Sequence, residues 1–454
     1  MMLLPLLMLL HIWAQAANIS ESDMELLLVH AIWRHGDRSP TTTFRKDPFQ
    51  EGHWTFGGGG FGQLSPIGMK QHMELGKLIR KLYIDDMQFL SRRYSSKEIY
   101  VLSTDRNRTI TSAMSNILGM YGTNNSNAIP DVDYPADVDG WPAGFVPVAI
   151  HTGGIDPDYL DPDASCTRRE HLWNMAKTSQ ELQDFVNRPD IASLLANLTE
   201  FCGEPITLDN LYVVWDALKV EQTHDNDTLR RVNTWFSDEL FERLTAVHDK
   251  IHEYQNGIFD RPLVMNNLDI GREIQKIRGG SLFSEIFLHM DTKWQCLNQS
   301  NSSCKWINGL KYYAYSAHDS TIYAFFTILG IQNKVVSPTG YPDYAAATFI
   351  ELWKNRTDNE PYFKLFYHQN EVNDTLYAIT HLIDACKGLT YCHLDKLKPL
   401  AAKSRPDQPL NQWCNVDPRP RTSTSHSAPA LLSLAFPIVI FLTWINSWNL
   451  TSSY

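Results

Sequence analysis

One heptapeptide, Arg34-His35-Gly36-Asp37-Arg38-Ser39-Pro40, concentrates chemistry in this chain. Two guanidiniums four residues apart flank a single imidazole. Guanidinium forks fit phosphate oxygens bidentately and do not deprotonate in proteins. An imidazole between them can attack a phosphorus or carry a proton near neutral pH. The pattern Arg-His-Gly-x-Arg-x-Pro fixes five positions, and average residue usage gives a chain of this length a chance match roughly once in ten thousand times. The stretch therefore points to anion handling.

Two other stretches carry comparable groups: Thr104-Asp105-Arg106-Asn107-Arg108-Thr109 and Ala317-His318-Asp319-Ser320-Thr321. Each of the three follows an apolar run that reads as a strand, at 26–33, 99–103 and 310–316. The carboxyl ends of strands are where ligands sit in an open α/β sheet. Helices must follow. Ser65 as N-cap and Pro66 at the first helical position start one, with Met69, Met73, Ile79 and Leu82 on its apolar side. Others are predicted from about 111 and over 323–329. Segments 348–353 and 362–367 read as a closing antiparallel hairpin. Gly57-Gly58-Gly59-Gly60 lacks the Gly-Lys-Ser/Thr of a nucleotide loop and reads as a flexible rim.

From about 131 to 280 the character changes. Proline- and aspartate-rich turns give way to helical patterns, most clearly Trp235, Phe236, Leu240, Leu244, Val247, Ile251 and Tyr254 before Gly257. His72 is expected to be a packed helix histidine. His248 and His252 share a helix face but have Asp249 where the zincin pattern needs Glu, so that face is expected to be solvated and to hold no metal.

Taken together, Arg-His-Gly-x-Arg-x-Pro, the string from Gly62 to Gly76, the Ser-Thr-Asp-x-x-Arg-Thr at 103–109 and the His318-Asp319 pair resemble the histidine acid phosphatases, branch 2 of the histidine phosphatase superfamily, of the animal lysosomal and prostatic type. The resemblance covers roughly 25–415. It implies an α/β fold, a central mixed sheet flanked by helices with an inserted mainly α-helical cap, like phosphoglycerate mutase. The core would span about 18–130 and 281–415, and the cap about 131–280. It also implies His35 as the nucleophile that becomes phosphohistidine, Asp319 as proton donor, and Arg34, Arg38, Arg108 and His318 as phosphate ligands. No metal or other cofactor is expected. The family usually has Thr where Ser320 stands, which keeps the hydroxyl. The Asn107 sequon is suspect, since a glycan there would crowd this pocket.

The resemblance further implies the disulfides Cys166–Cys414 and Cys386–Cys392 and is compatible with a homodimer. Cys202, Cys296 and Cys304 cannot be paired from sequence, and an odd count of seven leaves one thiol over.

Composition bounds the rest. The chain of 454 residues is 43% hydrophobic, enough for a sizeable core, and its net charge of −11 argues against a nucleic-acid partner. Residues 1–17 read as a secretory signal, and ten Asn-x-Ser/Thr sequons suit a glycosylated luminal protein. A polar stalk (416–427) precedes an almost wholly apolar run (428–445) and a short tail (446–454). That run fits a single-pass type I anchor with a luminal catalytic domain, or a signal for a glycolipid anchor. The expected activity is acid hydrolysis of a small phosphate monoester. A catalytically inactive, membrane-anchored receptor or adhesion glycoprotein on the same fold is the alternative. It predicts erosion of at least one of six residues, Arg34, His35, Arg38, Arg108, His318 and Asp319, and all six stand.

Overall fold

The computed structural model describes residues 20–419, apart from 123–126, 155, 337–339 and 371–373. The expected signal (1–17) and membrane anchor (428–445) lie outside the described residues. Among those described, no helix is long and apolar enough to cross a membrane.

Among the described residues ten strands form: β1 (Met24–Arg34), β2 (Ile99–Ser103), β3 (His151–Thr152), β4 (Val264–Met265), β5 (Leu268–Asp269), β6 (Tyr312–Ala317), β7 (Ala347–Asn355), β8 (Pro361–His368), β9 (Tyr377–Ala378) and β10 (Cys392–His393). The β4–β5 pair is a separate two-stranded ribbon, and the other eight make one mixed sheet in the order β10-β8-β7-β1-β6-β2-β3, with β9 on β8. β6 runs parallel between β1 and β2, with Arg34 opposite Ala317 and Ser103 opposite Ser316. The three strands therefore end level, and the chemistry-bearing loops leave them side by side. The predicted hairpin forms but does not close the sheet: β7 lies antiparallel against the whole of β1.

Residues of β1 alternate between two buried layers, as period-2 pleating demands. Val29, Ala31 and Trp33 pack under α1 (Pro66–Ile79) and α2 (Asn107–Tyr121). Leu28 and Ile32 pack with residues of α9 (Ser281–Gln295) and α11 (Asp319–Leu329) on the opposite face. A strand covered on both sides reads as a continuous apolar run, which is why 26–33 was legible.

Between β3 and α9 lie α3 (Thr167–Lys177), α4 (Gln180–Val186), α5 (Pro189–Cys202), α6 (Leu211–Val232), α7 (Asp238–Gln255) and α8 (Ile270–Gln275). These helices surround an apolar cluster of their own. The cluster also takes in Phe44, Phe49 and Trp54 from the loop after β1 and Trp413 near the end of the described chain. This core is therefore wider than the 131–280 segment, because distant loops complete it. Disulfide Cys166–Cys414 ties the start of α3 to that C-terminal stretch, and Cys386–Cys392 closes a short loop beside β10. Cys296 pairs with Cys304 across α10 (Lys305–Asn308)'s approach, and buried Cys202 is the free thiol.

Two helices start earlier than predicted. α2 begins at Asn107 rather than about 111, and α11 at Asp319 rather than 323. In α11 the Thr321 hydroxyl accepts from the His318 backbone N–H, so the polar residues before the apolar run build the first turn.

Candidate active site

His35 leaves the end of β1 and is buried. Its Nδ1 lies 2.8 Å from the Gly36 carbonyl. A carbonyl only accepts, so Nδ1 carries the proton and Nε2 keeps its lone pair. Burial lowers the His35 pKa well below the usual histidine value, helped by the charges of Arg108, Arg38 and Arg34. The ring thus stays neutral in acid. His318 stands edge-on to it with centroids 5.6 Å apart, and His318 Nε2 lies 3.1 Å from Thr104 Oγ1. Burial brings the His318 pKa down to about 4.

The backbone at Gly36 is held by close approach. A Cβ there would lie 2.5 Å from the Gly68 carbonyl oxygen, and one at Gly68 would lie 2.2 Å from the Asp37 carbonyl oxygen. Only glycines let the loop and the first turn of α1 touch in this way. His72 of α1, buried as expected, donates from Nε2 to the Arg34 carbonyl at 2.9 Å.

Three guanidiniums converge. Arg34 donates to the Pro342 carbonyl at 2.7 Å, pairs with Asp319 at 2.9 Å, and lies 4.1 Å above the Tyr344 ring. Arg38 makes a two-pronged pair with Asp216 of α6, both bonds 2.9 Å. Arg108, beginning α2, has a buried Nε with no hydrogen-bond partner among the described residues. Burial and the neighbouring Arg38 charge pull its pKa down to about 10, so it too remains a cation in acid. Burial opposes the Asp319 carboxylate, but Arg34, His318 and other cations outweigh that and hold its pKa below the usual range. The sequence-predicted residues Arg34, His35, Arg38, Arg108, His318 and Asp319 are thus brought to the ends of three neighbouring strands.

Sequence reasoning missed the contribution of the helical segment. Asp216 sits in Val213-Val214-Trp215-Asp216-Ala217-Leu218, and a charge inside an apolar run was the available signal. Asp37 accepts from Ser65, and from His224 of α6 at 2.7 Å. It ties the signature loop to both α1 and α6. The expectation for His248 and His252 needs correction. Their face of α7 is turned inward: the His248 ring stacks 3.8 Å over Trp215, and His252 Nε2 lies 2.8 Å from His248 Nε2. Burial lowers both pKa values to about 3. The apolar stripe Leu244–Val247–Ile251–Tyr254 marked only the part of this face that meets the hydrophobic core, not the polar part that meets the site. Among the described residues no cluster of three acidic, histidine or cysteine side chains could hold a metal ion.

A charged cradle around a neutral imidazole at parallel strand ends is what a phosphoryl-transfer site requires. Residues 25–368 match the sequence pattern of the histidine phosphatase superfamily, branch 2. The chain belongs to that family. It is a phosphatase. It is 32% identical, over 89% of its length and 97% of the relative's, to a Caenorhabditis elegans protein provisionally named acid phosphatase 10. It is 31% identical to lysosomal acid phosphatase of Homo sapiens, over 75% of this chain and 70% of that one. The fold resembles Hafnia alvei phytase, with a TM-score of 0.56 at 14% identity over 87% of this chain and all of that one. That histidine phosphatase fold explains the mixed sheet with its helices on both faces.

Proposed function

We propose that this histidine phosphatase hydrolyses phosphate monoesters in acid through a phosphohistidine on His35, with Asp319 protonating the leaving alcohol. The observation that carries the reading is the His35 tautomer: its Nδ1 proton is committed to the Gly36 carbonyl, which leaves Nε2 as a nucleophile among Arg34, Arg38 and Arg108. Nε2 attacks phosphorus, the P–O ester bond breaks, and its electron pair leaves on the alcohol oxygen, which takes the Asp319 proton. Water then attacks phosphorus and gives its proton to the Asp319 carboxylate. The P–N bond breaks and its pair returns to Nε2. Splitting the reaction this way gives two easier steps. The three guanidiniums and His318 bind the phosphoryl oxygens, and no metal is required in this scheme.

Asp319 begins ionised and paired with Arg34. A bound phosphate takes over the guanidinium and adds negative charge beside the carboxyl, which raises its pKa and lets it hold a proton. The lowered His35 pKa keeps the nucleophile free in the same acid range. Optimal turnover is therefore acidic.

The inactive-receptor alternative is not favoured. Residues 1–17 acting as a signal and 428–445 as an anchor would place the enzyme in the secretory pathway with a luminal or extracellular catalytic domain, in keeping with the lysosomal and prostatic names of its relatives. The deciding experiment is hydrolysis of p-nitrophenyl phosphate from pH 3 to 9, with and without EDTA, together with trapping of radiolabelled enzyme by an alkaline denaturing quench. Turnover peaking in acid, indifferent to chelator and leaving alkali-stable label on His35, is expected. His35→Ala should abolish both turnover and label. Normal turnover by that variant would sink the mechanism.

A further inference from the structure

We infer that Lys219 forms a second anion subsite beside the phosphate cradle, taking a carboxylate or phosphate carried on the leaving part of the substrate. This rests on the phosphatase reading above and extends it to the class of ester preferred.

The starting point is the way α6 faces the cradle. Asp216 on this helix grips Arg38, so the face bearing Trp215 and Lys219 borders the site. The Lys219 ammonium lies 4.8 Å from the Trp215 ring centroid and 5.6 Å from that of Tyr344. The Tyr344 ring also carries the Arg34 guanidinium at 4.1 Å, and stands 6.0 Å from the His35 ring. One aromatic ring therefore neighbours the nucleophile, a phosphate-facing cation and Lys219, a spacing that a small ligand can span.

The cations differ in what already holds them. Arg38 already makes two close bonds to Asp216, and Arg34 has close partners in Asp319 and the Pro342 carbonyl. The Lys219 ammonium makes no hydrogen bond among the described residues, and its nearest carboxylate there, Asp343, is 3.9 Å away. That pair is too long for a hydrogen bond and easily displaced. The side chain is only partly exposed, so its ammonium has given up part of its hydration without gaining a close partner. Burial first, and then the nearby Arg34 charge, lower its pKa, as expected of a cation held beside another cation. An anion placed there would satisfy it.

Beyond the charges of Arg34, Asp343, Asp319 and Asp216, the surroundings are neutral in acid or aromatic. His248 and His252 are neutral, His248 fixes Trp215 by stacking, and the buried hydroxyls of Tyr341 and Tyr344 have no hydrogen-bond partner among the described residues. These hydroxyls can donate to a ligand oxygen. Lys219 also lies within electrostatic reach of Asp319, the group that would meet the leaving oxygen. The subsite therefore belongs to the leaving side of the ester.

The test uses matched esters that differ by one anionic group. Glycerol 3-phosphate against 3-phosphoglycerate reads a carboxylate, and fructose 6-phosphate against fructose 1,6-bisphosphate reads a second phosphate. The measured quantity is the ratio of kcat/KM within each pair, so a general loss of activity cancels. The purified enzyme should favour the member with the extra anion by about tenfold in at least one pair, the scale of a charge-assisted hydrogen bond. Lys219→Met should bring that ratio close to one, and Lys219→Arg should restore it. Asp343→Asn, which removes the loose competitor, should increase it. A preference in one pair alone identifies the group bound. A ratio near one in the unmodified enzyme, or a ratio that survives Lys219→Met, overturns the proposal. If Lys219→Met fails to fold, an unchanged ratio in Asp343→Asn overturns it instead. Silence of the unmodified enzyme on all four esters and on p-nitrophenyl phosphate would instead overturn the phosphatase reading.

Discussion

The strand ends and the helices above them handle charge in opposite ways. At the strand ends, three guanidiniums crowd a buried imidazole, and repulsion adds to burial: burial and then Arg108 lower the pKa of His35, and burial and then Arg38 lower that of Arg108. The helical side supplies the counterweights. Asp216 on α6 neutralises Arg38, His224 on α6 holds Asp37, and the α7 histidines contribute polarity without charge. In the proposed mechanism the cradle offers positive charge to a phosphate, and the helices supply the carboxylates and neutral polar groups that balance it. Arg34 shows the contrast within one residue, because its own counterion, Asp319, comes from the strand-end side and, in the mechanism proposed above, is released when substrate binds. Arg38 need not release Asp216 at all.

The sharpest test of this difference is Asp319→Asn. If Asp319 is a proton donor and not merely a counterion, kcat/KM, which reports phosphoenzyme formation and not its hydrolysis, should fall by about a thousandfold for an alkyl ester such as glycerol 2-phosphate, within the range for a lost general acid. p-Nitrophenyl phosphate, whose leaving group needs little protonation, should fall by about tenfold or less. Equal losses on both esters would make Asp319 an electrostatic partner like Asp216 and erase the contrast.

Asp216→Ala should show the other behaviour. It leaves Arg38 buried without its carboxylate, which costs about 3–5 kcal/mol, and misplaces a phosphate ligand, so kcat/KM should drop roughly a hundredfold to a similar degree for every ester. Removing Arg38 as well relieves the unpaired charge. The double variant Arg38→Ala/Asp216→Ala should therefore melt higher than Asp216→Ala alone, although it stays poorly active. Additive losses in thermal melts would show that the pair is not a coupled unit.

The same contrast governs what could be read from the sequence. Strand-end residues arrive in short contiguous stretches, since a loop leaving a strand puts neighbours in sequence next to each other in space. Arg34, His35 and Arg38 were therefore legible together, and so were His318 and Asp319. Helical residues reach the site one per turn or two, so Trp215, Asp216, Lys219 and His224 are scattered through an amphipathic pattern that reports only burial. His248 and His252 were visible as a pair, but helical periodicity cannot distinguish water from a buried polar pocket. The start of α11 was missed for a related reason: His318, Asp319 and Thr321 look like loop residues until their capping role is seen.

The smallest effect expected concerns the seam between the two regions. Glu221 of α6 is fully buried beside Asp47, which belongs to the loop whose Phe44 and Phe49 complete the helical core. Burial, with the Asp47 charge added, pushes the Glu221 pKa up to about 10. The folded carboxyl thus keeps a proton that the unfolded chain releases above roughly pH 4.3. The folded state then binds more protons than the unfolded state, so stability is full below that pH and declines as pH rises toward the folded value. The limiting slope is about 1.4 kcal/mol per pH unit, so moving from pH 5 to pH 7 should cost on the order of 3 kcal/mol. Glu221→Gln removes the titration and keeps the shape. Its melting temperature should match that of the unmodified protein at pH 4.5 and exceed it at pH 7.5. Parallel melting curves for the two proteins across that range would mean that the seam does not sense pH, and that acid preference resides in the cradle alone.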